Sequence, residues 1–570
     1  MAGELKTNVL YYGDNLEILR KHVPDNSIDL VYLDPPFNSK RDYNILFKEN
    51  GCVESEAQIH AFTDTWRWTQ TAQDTYHEIV TKGPLKVARL IDSLRDAIGN
   101  NDVMAYLVMM TIRLVELHRV LKPTGSLYLH CDPTASHYIK IVLDQIFSPV
   151  NFRNEIIWKR TSAKGLAFTR FASDHDIILR YSKSEKWVWN PQYAKLSTDY
   201  KRAFYRYVEP DTGRKYTLDN LANPNKNRPN LTYEFLGITR VWRWTKERME
   251  EAYEKGLIVQ SRPGGVPRLK RYLDEQEGTP VDDVWNDIPP IGAQAKERLG
   301  YETQKPVTLL ERIIQASSNE DDVVLDPFCG CGTAVVAAQK LNRRWTGIDV
   351  THLAINLMRN RLKDSFPGIK FDVIGEPKDL SGAKELAHQK DRYQFQWWAL
   401  GLIGARPAGD KKKGADQGID GVIPFIDNPA GKASRVLVQV KSGHIGVNAV
   451  RELSAVAAKE AIGVLITLEP PTAPMITEAV SAGYYHSPLY GKDYPKIQIL
   501  TIEELLQGKT VDMPPQSQTS IAYPKSARVK NNDPAQGNMI YEPPISPKVP
   551  EVRETGGKQL YMGEADRPAA

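Results

Sequence analysis

The stretch DVVLDPFCGCGTAVVAAQKLNRRWTGIDV, residues 322–350, holds the features that decide the fold. An apolar run typical of a buried strand ends at Asp326, a turn follows at Gly330 and Gly332, and an apolar helix comes next. Glycines let the backbone approach a ligand closely, and a helix N-terminus favours negative charge. The next strand ends in Gly347-Ile348-Asp349, where an acid suits ribose hydroxyls. The unit therefore predicts a nucleoside-binding strand–loop–helix–strand.

Other nucleotide sites fit this loop less well. The loop lacks the Gly-x-Gly-x-x-Gly spacing of dinucleotide sites, and the chain contains no Gly-x-x-x-x-Gly-Lys-Ser/Thr phosphate loop. A tight β–α turn beside an unrelated acid is the plain structural alternative.

A second apolar run ends abruptly near the front of the chain, in SIDLVYLDPPFNSK, residues 27–40. Residues 1–150 alternate strand-like and helix-like segments, including DVMAYLVMMTIRLVELHRVL before Lys122-Pro123 and the short strand TGSLYLHCD. This alternation predicts an α/β fold. On its own, Asp34-Pro35-Pro36-Phe37 would be only a strand end and a rigid turn.

Together, the two stretches resemble the amino-group DNA methyltransferases that use S-adenosylmethionine. YYGDNLEIL (11–19), GSLYLHCD, VNFRNEIIWKR and YETQKPVTLLERIIQASS match further family segments in order, so that the resemblance covers roughly residues 8–375. It implies a Rossmann-like, doubly wound α/β sheet and double-stranded DNA as the partner. The catalytic motif precedes the cofactor motif, a permuted order that resembles the β group of these enzymes.

The resemblance also assigns site residues. It implies that Asp34, Pro35, Pro36 and Phe37 hold the target amino group. It implies cofactor contacts from Asp14, Thr303, Lys305, Asp326, Pro327, Phe328, Gly330, Gly332, Thr333 and Asp349.

The chemistry expected at Asp34 follows from the target. An exocyclic amino nitrogen is a poor nucleophile, because its lone pair is delocalised into the base. A carboxylate and the Pro35 carbonyl would accept its hydrogens, and Phe37 would stack on a base flipped out of the duplex. Adenine N6 is the preferred target, since Asp at the first motif position is the commoner adenine form of the resemblance; cytosine N4 stays open. No cysteine has a nucleophile's context, which argues against carbon-5 cytosine methylation.

Residues 151–280 differ in composition from their flanks. They carry 25 Lys+Arg, 16 Asp+Glu and 19 aromatic residues, within a chain whose net charge is +4. Basic residues interleaved with aromatic ones suit phosphates and exposed bases. In the resembled enzymes this position between the motifs recognises the target sequence.

A second candidate site lies near residue 420, in KKGADQGIDGVIPF and RVLVQVKSGHIG. Gln439 and Lys441 alternate along one strand and face the same side. With Asp420, they resemble the PD-(D/E)XK nucleases, most closely the Mrr-type restriction endonucleases. The resemblance implies Mg²⁺ held by Asp420 and Gln439, with Lys441 beside the attacked phosphate. An amide binds Mg²⁺ more weakly than a carboxylate does, and the alternative is a nuclease fold kept only for binding DNA.

These observations predict a domain order. It comprises a methyltransferase catalytic part (1–154), a target-recognition region (155–285), a cofactor-binding part (286–378), a smaller α/β endonuclease-like domain (385–510) and a Pro-rich, largely disordered tail (511–570). Hydrophobic content of 41%, four cysteines and the lack of an apolar run of bilayer length predict a cytoplasmic protein that does not enter a membrane. A homodimer is one expected assembly.

The expected function is a single-chain restriction–modification protein that methylates and cuts DNA. The alternatives are an orphan methyltransferase, a nuclease directed at modified foreign DNA, and the modification subunit of a complex whose helicase is a separate chain.

Overall fold

Short, mostly apolar and buried runs form the central strands of this protein, as in β2, where all six residues of IDLVYL are buried. A computed structural model of the chain describes residues 4–36, 67–161, 171–262, 264–292, 295, 297–299, 303–388, 392–408, 418–427, 433–458 and 462–515. The strands are β1 (Val9–Tyr12), β2 (Ile28–Leu33), β3 (Leu121–Cys131), β4 (Phe152–Lys159), β5 (His175–Ser182), β6 (Tyr193–Ala194), β7 (Tyr207–Val208), β8 (Lys215–Asn220), β9 (Thr232–Phe235), β10 (Ile238–Val241), β11 (Ile258–Val259), β12 (Arg268–Tyr272), β13 (Thr279–Pro280), β14 (Val284–Trp285), β15 (Val323–Asp326), β16 (Arg344–Asp349), β17 (Asp372–Ile374), β18 (Arg406–Pro407), β19 (Gly421–Ile426), β20 (Ala433–Lys441), β21 (Ile462–Thr467), β22 (Tyr484–His486), β23 (Asp493–Pro495) and β24 (Ile497–Thr501).

The helices alternate with these strands. They are α1 (Asn15–His22), α2 (Gln70–Lys82), α3 (Leu85–Ile98), α4 (Asp102–Val120), α5 (Pro133–Phe147), α6 (Thr198–Phe204), α7 (Lys246–Glu254), α8 (Val307–Ser317), α9 (Thr333–Lys340), α10 (His352–Ser365), α11 (Leu380–His388), α12 (Arg392–Leu402), α13 (Val447–Ala457), α14 (Ala473–Ser481) and α15 (Ile502–Leu506). The helix-like stretch DVMAYLVMMTIRLVELHRVL forms α4, and the segment YETQKPVTLLERIIQASS contains α8. No helix in the described ranges is long and apolar enough to cross a bilayer.

A nine-stranded sheet organises the first two thirds of the described chain, with the order β14-β4-β5-β3-β2-β15-β16-β1-β17. The strands β3, β2, β15, β16, β1 and β17 run parallel to one another, whereas β5 is antiparallel to both of its neighbours. The central contact joins segments that are far apart in sequence, because Leu30 pairs with Val324 and Val31 with Leu325. The strand that precedes Asp34 and the strand that ends at Asp326 are therefore neighbours.

Two helical layers cover the sheet. Helices α1 to α5 supply Ile18, Ile79, Ile91, Leu107 and Ile139 to the core on one face. Helices α8, α9 and α10 pack on the other face, through a second core of buried apolar residues. Parallel strands that are covered on both faces read as nearly continuous apolar runs, which explains why β2 and β15 are apolar apart from Asp29 and Asp326. The α/β sheet expected from the sequence is thus present.

The segment between the two motifs leaves the central sheet later than the predicted boundary at residue 155. That boundary cuts through β4, and β4, β5 and the short β14 all belong to the central sheet. The intervening residues 183–283 form small separate sheets around a cluster that contains the fully buried Trp242. The physical reason is that β4 and β5 extend the central sheet, so the polar, aromatic segment starts only after Ser182.

A second, five-stranded sheet lies in the C-terminal region, with the order β18-β19-β20-β21-β24. Strands β19 and β20 are antiparallel, whereas β20, β21 and β24 are parallel. Helices α11 and α12 contribute to the core on one face, and α13 and α14 to the core on the other. Residues 409–417, just before Gly418, and the predicted tail from residue 516 onward lie outside the described residues.

Candidate active site

The carboxyl ends of the central strands bring the predicted site residues to one edge of the sheet. Asp34 follows β2, Asp326 ends β15 and Asp349 ends β16. Asp14 lies two residues after the end of β1. Ligands of open α/β sheets bind at this edge, where loops leave the strands. Residues separated by some 300 positions in sequence therefore lie at the same edge of the sheet.

The Asp-Pro-Pro segment begins with a paired carboxylate. Lys305 Nζ donates to Asp34 Oδ2 at 2.5 Å, and the two side chains are only 11% and 17% exposed. Pro35 behind it is buried, whereas Phe37 lies outside the described residues. Lys305 is two residues before α8, so the loop that was expected to bind the cofactor also holds the catalytic candidate. The pair fixes Asp34 as an oriented, negatively charged acceptor.

The glycine loop has the conformation that its sequence predicts. Gly330 and Gly332 have positive φ values of 46° and 74°. A Cβ added at Gly332 would lie 2.7 Å from Met358 Cγ, so the position excludes larger residues on two grounds. Gly332 is the N-cap of α9, and Thr333 begins that helix. The loop thus opens the N-terminus of α9 toward the crevice.

Asp349 ties this loop to the next helix. The Gly330 amide donates to Asp349 Oδ2 at 2.9 Å, while the Thr351 amide and hydroxyl both donate to Oδ1 at 2.9 Å. Burial raises the pKa of Asp349 to about 6 despite these hydrogen bonds. Asp349 therefore accepts hydrogen bonds from the loop, and its carboxyl group changes protonation near pH 6.

Asp326 is the most deeply buried acid of the site. Burial raises the pKa of its carboxyl well above the usual range, and the Asp34 and Asp349 carboxylates raise it further. The Phe328 amide donates to it at 3.1 Å, within the same turn. Three carboxyl groups converge here beside one lysine. This edge of the sheet is therefore rich in hydrogen-bond acceptors.

A buried arginine holds the Asp14 segment against the loop. Arg113 Nη2 donates to Asp14 Oδ2 at 2.8 Å, and its Nε donates to Asn15 Oδ1 at 2.6 Å. Asn15 Nδ2 in turn donates to the Pro327 carbonyl at 2.8 Å. Sequence reasoning missed Arg113 and Asn15. The available signal was an arginine in the middle of the otherwise apolar α4.

A second polar chain, also missed, lies behind Asp34 on the same face of the sheet. The Tyr32 hydroxyl and His130 Nδ1 are 3.0 Å apart, and His130 Nε2 is 3.1 Å from Asp176 Oδ2. Asp176 also pairs with Arg160, at 2.9 Å between Oδ1 and Nε. Tyr32 lies two residues before Asp34. Polar residues in the strand sequences LYLHC and HDIIL were the signal.

The remaining predicted residues lie in these loops. Thr303 and Phe328 are half-buried, in the loops before α8 and after β15. Cys131, Cys329 and Cys331 are buried, and burial raises the pKa of each thiol. These three thiols therefore lack the ionised form that a nucleophilic cysteine needs. Cys52 lies outside the described residues.

The second predicted site gathers its three residues on neighbouring strands. The Val440 amide donates to Asp420 Oδ2 at 2.7 Å, which places this carboxylate beside Gln439 and Lys441. Gln439 is 1% exposed, and its Oε1 has no hydrogen-bond partner among the described residues. A Cβ on Gly418 would come within 2.4 Å of its Nε2. The described residues contain no group of three or more His, Cys, Asp or Glu that could hold a metal ion, so Mg²⁺ stays a prediction.

A doubly wound α/β sheet with acids around a glycine loop at the carboxyl ends of its strands is typical of enzymes that bind nucleoside cofactors. Residues 28–360, more than half of the chain, match the family model described as DNA methylase, N6_N4_Mtase. The chain therefore belongs to this DNA methylase family. Residues 394–507 match a model described as NACHT-associated inactive Restriction Endonuclease 1.

Individual relatives are distant. The Type II methyltransferase M.EcaI of Enterobacter cloacae is 27% identical over 361 residues, which cover 63% of this chain and 69% of the relative. The Type III restriction-modification enzyme StyLTI Mod subunit of Salmonella typhimurium is 25% identical, over 59% of this chain and half of the relative. The crystal structure of a putative DNA modification methylase from Thermus thermophilus aligns with 65% of this chain over the full length of that protein. The sequence identity is 18% and the TM-score is 0.32.

Proposed function

We propose that this DNA methylase transfers a methyl group from S-adenosylmethionine to the exocyclic amino group of a base in a specific DNA sequence, with adenine N6 as the target. The observation that carries the proposal is the meeting of Asp34 and the glycine loop on adjacent strands. An acceptor for an amino group and a crevice for a nucleoside cofactor then open on the same edge of the sheet. The order of the two motifs along the chain supports the permuted, β-group arrangement.

Asp34 acts as the acceptor for the target amino group. Lys305 occupies Oδ2, so the other oxygen is oriented to accept an N–H of the base. The Pro35 carbonyl, held by the rigid Pro-Pro backbone, accepts the second hydrogen. Two acceptors draw the nitrogen toward tetrahedral geometry and free its lone pair. Positioning and electrostatics of this kind supply most of the rate in such a transfer.

The cofactor would be held by the acids around the loop. Asp349 would accept hydrogen bonds from ribose hydroxyls, Gly330 and Gly332 would allow the cofactor to approach the backbone closely, and Asp14 would contact the adenine end. The acceptor-rich crevice suits the positive sulfonium, and S-adenosylmethionine would supply the methyl group. Burial raises the pKa of the Asp326 carboxyl well above its usual range, which limits the negative charge that this group adds beside Asp34 and Asp349.

Residues 183–283, with β4 and β5, provide the surface for double-stranded DNA. Exposed aromatic side chains stand among its basic residues: Trp189, Tyr193, Tyr200, Phe204 and Tyr207. The Arg153 guanidinium lies 3.6 Å from the centroid of the Trp187 ring, and Arg214 lies 3.8 Å from that of Tyr272. Phe171, in the loop before β5, is 99% exposed. Exposed aromatic rings such as Tyr193, Phe204 and Phe171 can stack on unpaired bases, and the target base must leave the duplex to be reached.

Purified protein tests the proposal directly. Radiolabelled S-adenosylmethionine and unmodified plasmid should give methylated DNA, with the label recovered as N6-methyladenine. Asp34→Ala should abolish transfer and still bind the cofactor, whereas Asp25→Ala, a change at an exposed acid, should transfer normally. Transfer by the Asp34→Ala protein would refute the assigned role. Recovery of N4-methylcytosine would correct the base.

Cleavage of DNA by the C-terminal domain is a second candidate activity. It is favoured by the grouping of Asp420, Gln439 and Lys441 beside one strand end, and it requires Mg²⁺. The buried Gln439 amide in place of a carboxylate favours the alternative, a domain that binds DNA without cutting it. Incubation of unmethylated plasmid with Mg²⁺ separates them, because only a nuclease yields nicked product that Lys441→Ala abolishes.

Assembly into a homodimer stays a prediction. Light scattering on the purified chain, alone and with DNA, measures its mass directly.

A further inference from the structure

One helix of the C-terminal region packs directly on a helix of the cofactor site. Gln394 Oε1, in α12, accepts a hydrogen bond from the His352 amide at 3.1 Å. Asn356 Nδ2, one turn further along α10, donates to the Trp397 carbonyl at 2.9 Å. Gln394, His352 and Asn356 are all nearly inaccessible to solvent. These contacts cross from the methyltransferase sheet to the endonuclease-like domain.

The two helices also approach closely. A Cβ added at Gly401 in α12 would lie 2.3 Å from Asn356 Nδ2. Helices this close have little freedom to slide, because any larger side chain at the contact must displace its neighbour. The C-terminal domain is therefore fixed against α10, not merely tethered to it by the linker.

The N-terminus of α10 belongs to the cofactor crevice. His352 follows Thr351, whose amide and hydroxyl bind Asp349, and Asp349 in turn binds the Gly330 amide. The His352 ring stacks on Tyr12 at the end of β1, with a centroid distance of 3.7 Å and an interplanar angle of 20°. Two strands of the cofactor site thus meet at the first turn of α10.

The contact from Gln394 satisfies a group that the helix itself cannot. The first amides of a helix have no partner within it, and His352 is the first residue of α10. A buried amide without a partner carries a desolvation penalty that the segment relieves by moving. Movement of this turn would displace Thr351 and, through it, Asp349.

We propose that Gln394 is a positioning residue for the cofactor, so that the endonuclease-like domain completes the S-adenosylmethionine site of the methyltransferase. This inference rests on the proposed function, and it names a role for the C-terminal domain that does not depend on DNA cleavage. Coupling of this kind is reciprocal. Cofactor binding at Asp349 therefore stabilises α12 in turn.

The test compares Gln394→Ala with Gln396→Ala in the full-length chain. Gln396 lies on the same helix, and its replacement is also glutamine by alanine, so Gln396→Ala is a matched control. Calorimetric titration should show S-adenosylmethionine binding about fivefold more weakly to Gln394→Ala, as expected for one lost hydrogen bond to a buried amide. The control should bind like wild type. Gln394→Glu, which keeps an accepting oxygen, should bind within about twofold of wild type.

Kinetics separate positioning from general damage to the fold. Gln394→Ala should raise the KM for S-adenosylmethionine and leave kcat at saturating cofactor and the KM for DNA nearly unchanged. Equal cofactor affinity of wild type and Gln394→Ala would overturn the inference. A wild type that binds no S-adenosylmethionine would instead refute the proposed function.

Hydrogen exchange of wild type decides the matter even if Gln394→Ala fails to fold. Addition of S-adenosylmethionine should slow exchange of amides in residues 392–402 at least severalfold. Exchange there that does not respond to saturating cofactor would overturn the coupling.

Discussion

Lys305 gives the sharpest perturbation of the candidate site, because its ammonium pairs with Asp34 in a location nearly closed to water. Lys305→Met removes the charge and keeps most of the side-chain volume. Asp34 then loses its counter-charge and its orientation while Asp326 stays nearby. Lys305→Arg retains the positive charge and serves as the conservative comparison.

The expected loss follows from the burial of the pair. Removing one partner of a fully buried ion pair costs about 3–5 kcal/mol. The Lys305 and Asp34 side chains are still 11% and 17% exposed, so water reduces this cost. We therefore expect the loss of Lys305 to cost the ionised Asp34 about 2 kcal/mol of stabilisation. If the full amount is added to the activation barrier, kcat decreases about 30-fold. Lys305→Arg should lose less than about fivefold.

Steady-state methylation assays with varied cofactor distinguish the two roles of Lys305. If Lys305 acts through Asp34, kcat falls and the dissociation constant of S-adenosylmethionine changes little. Lys340→Met, on the neighbouring α9, removes a more exposed lysine and should behave like wild type. An unchanged kcat together with tenfold weaker binding of S-adenosylmethionine would refute this reasoning. It would show that Lys305 contributes only to cofactor binding.

Three further changes have distinct readouts. Cofactor affinity should fall about tenfold from about pH 7 to pH 5. The pKa of Asp349 is about 6, so the lower pH protonates the carboxylate that would accept a hydrogen bond from the cofactor. If the affinity of the Asp349→Asn protein depends equally steeply on pH, another group causes the effect. Gly332→Ala should destabilise the protein by about 1–3 kcal/mol more than Gly368→Ala, since both have left-handed backbones but only Gly332 faces a contact, which chemical denaturation can measure. Lys441→Ala should leave methylation intact, and a loss of methylation would reveal damage beyond the C-terminal site.

The sequence predicted the strands that carry the site. Apolar runs ending in Asp34 and Asp326 identified β2 and β15, and the glycine spacing identified the turn into α9. These features are local, because burial and backbone conformation at each position limit which residues fit. The resemblance, not periodicity, indicated that the two motifs belong together; the structure then placed them on neighbouring strands.

The residues that support the site could not be predicted in the same way. Arg113, His130 and Gln394 each act through partners that are far away in sequence. Their pairing depends on which strand lies beside which, and on how two domains pack. A polar residue within an apolar helix or strand indicates that a buried polar contact exists there. The sequence does not show which residue is its partner. The boundary at 155 shifted for a related reason, since β4 and β5 extend the sheet at its edge.

At the second site, Asp420, Gln439 and Lys441 were expected together and lie beside one another. Their placement does not by itself determine their chemistry, because Gln439 supplies a neutral and buried amide where a metal site prefers charged oxygen. Cleavage is therefore separable from methylation and is not needed for the central claim.

That claim is that Asp34 holds a DNA amino group for methylation, and sequencing of modified bases in cells tests it most directly. DNA from cells that express the Lys441→Ala protein, which avoids any toxicity of cleavage, should carry N6-methyladenine in one sequence context. DNA from cells that express the same protein with Asp34→Ala should carry none. Modification that persists without Asp34, or cells with intact Asp34 whose DNA has no modified amino group, would contradict the account.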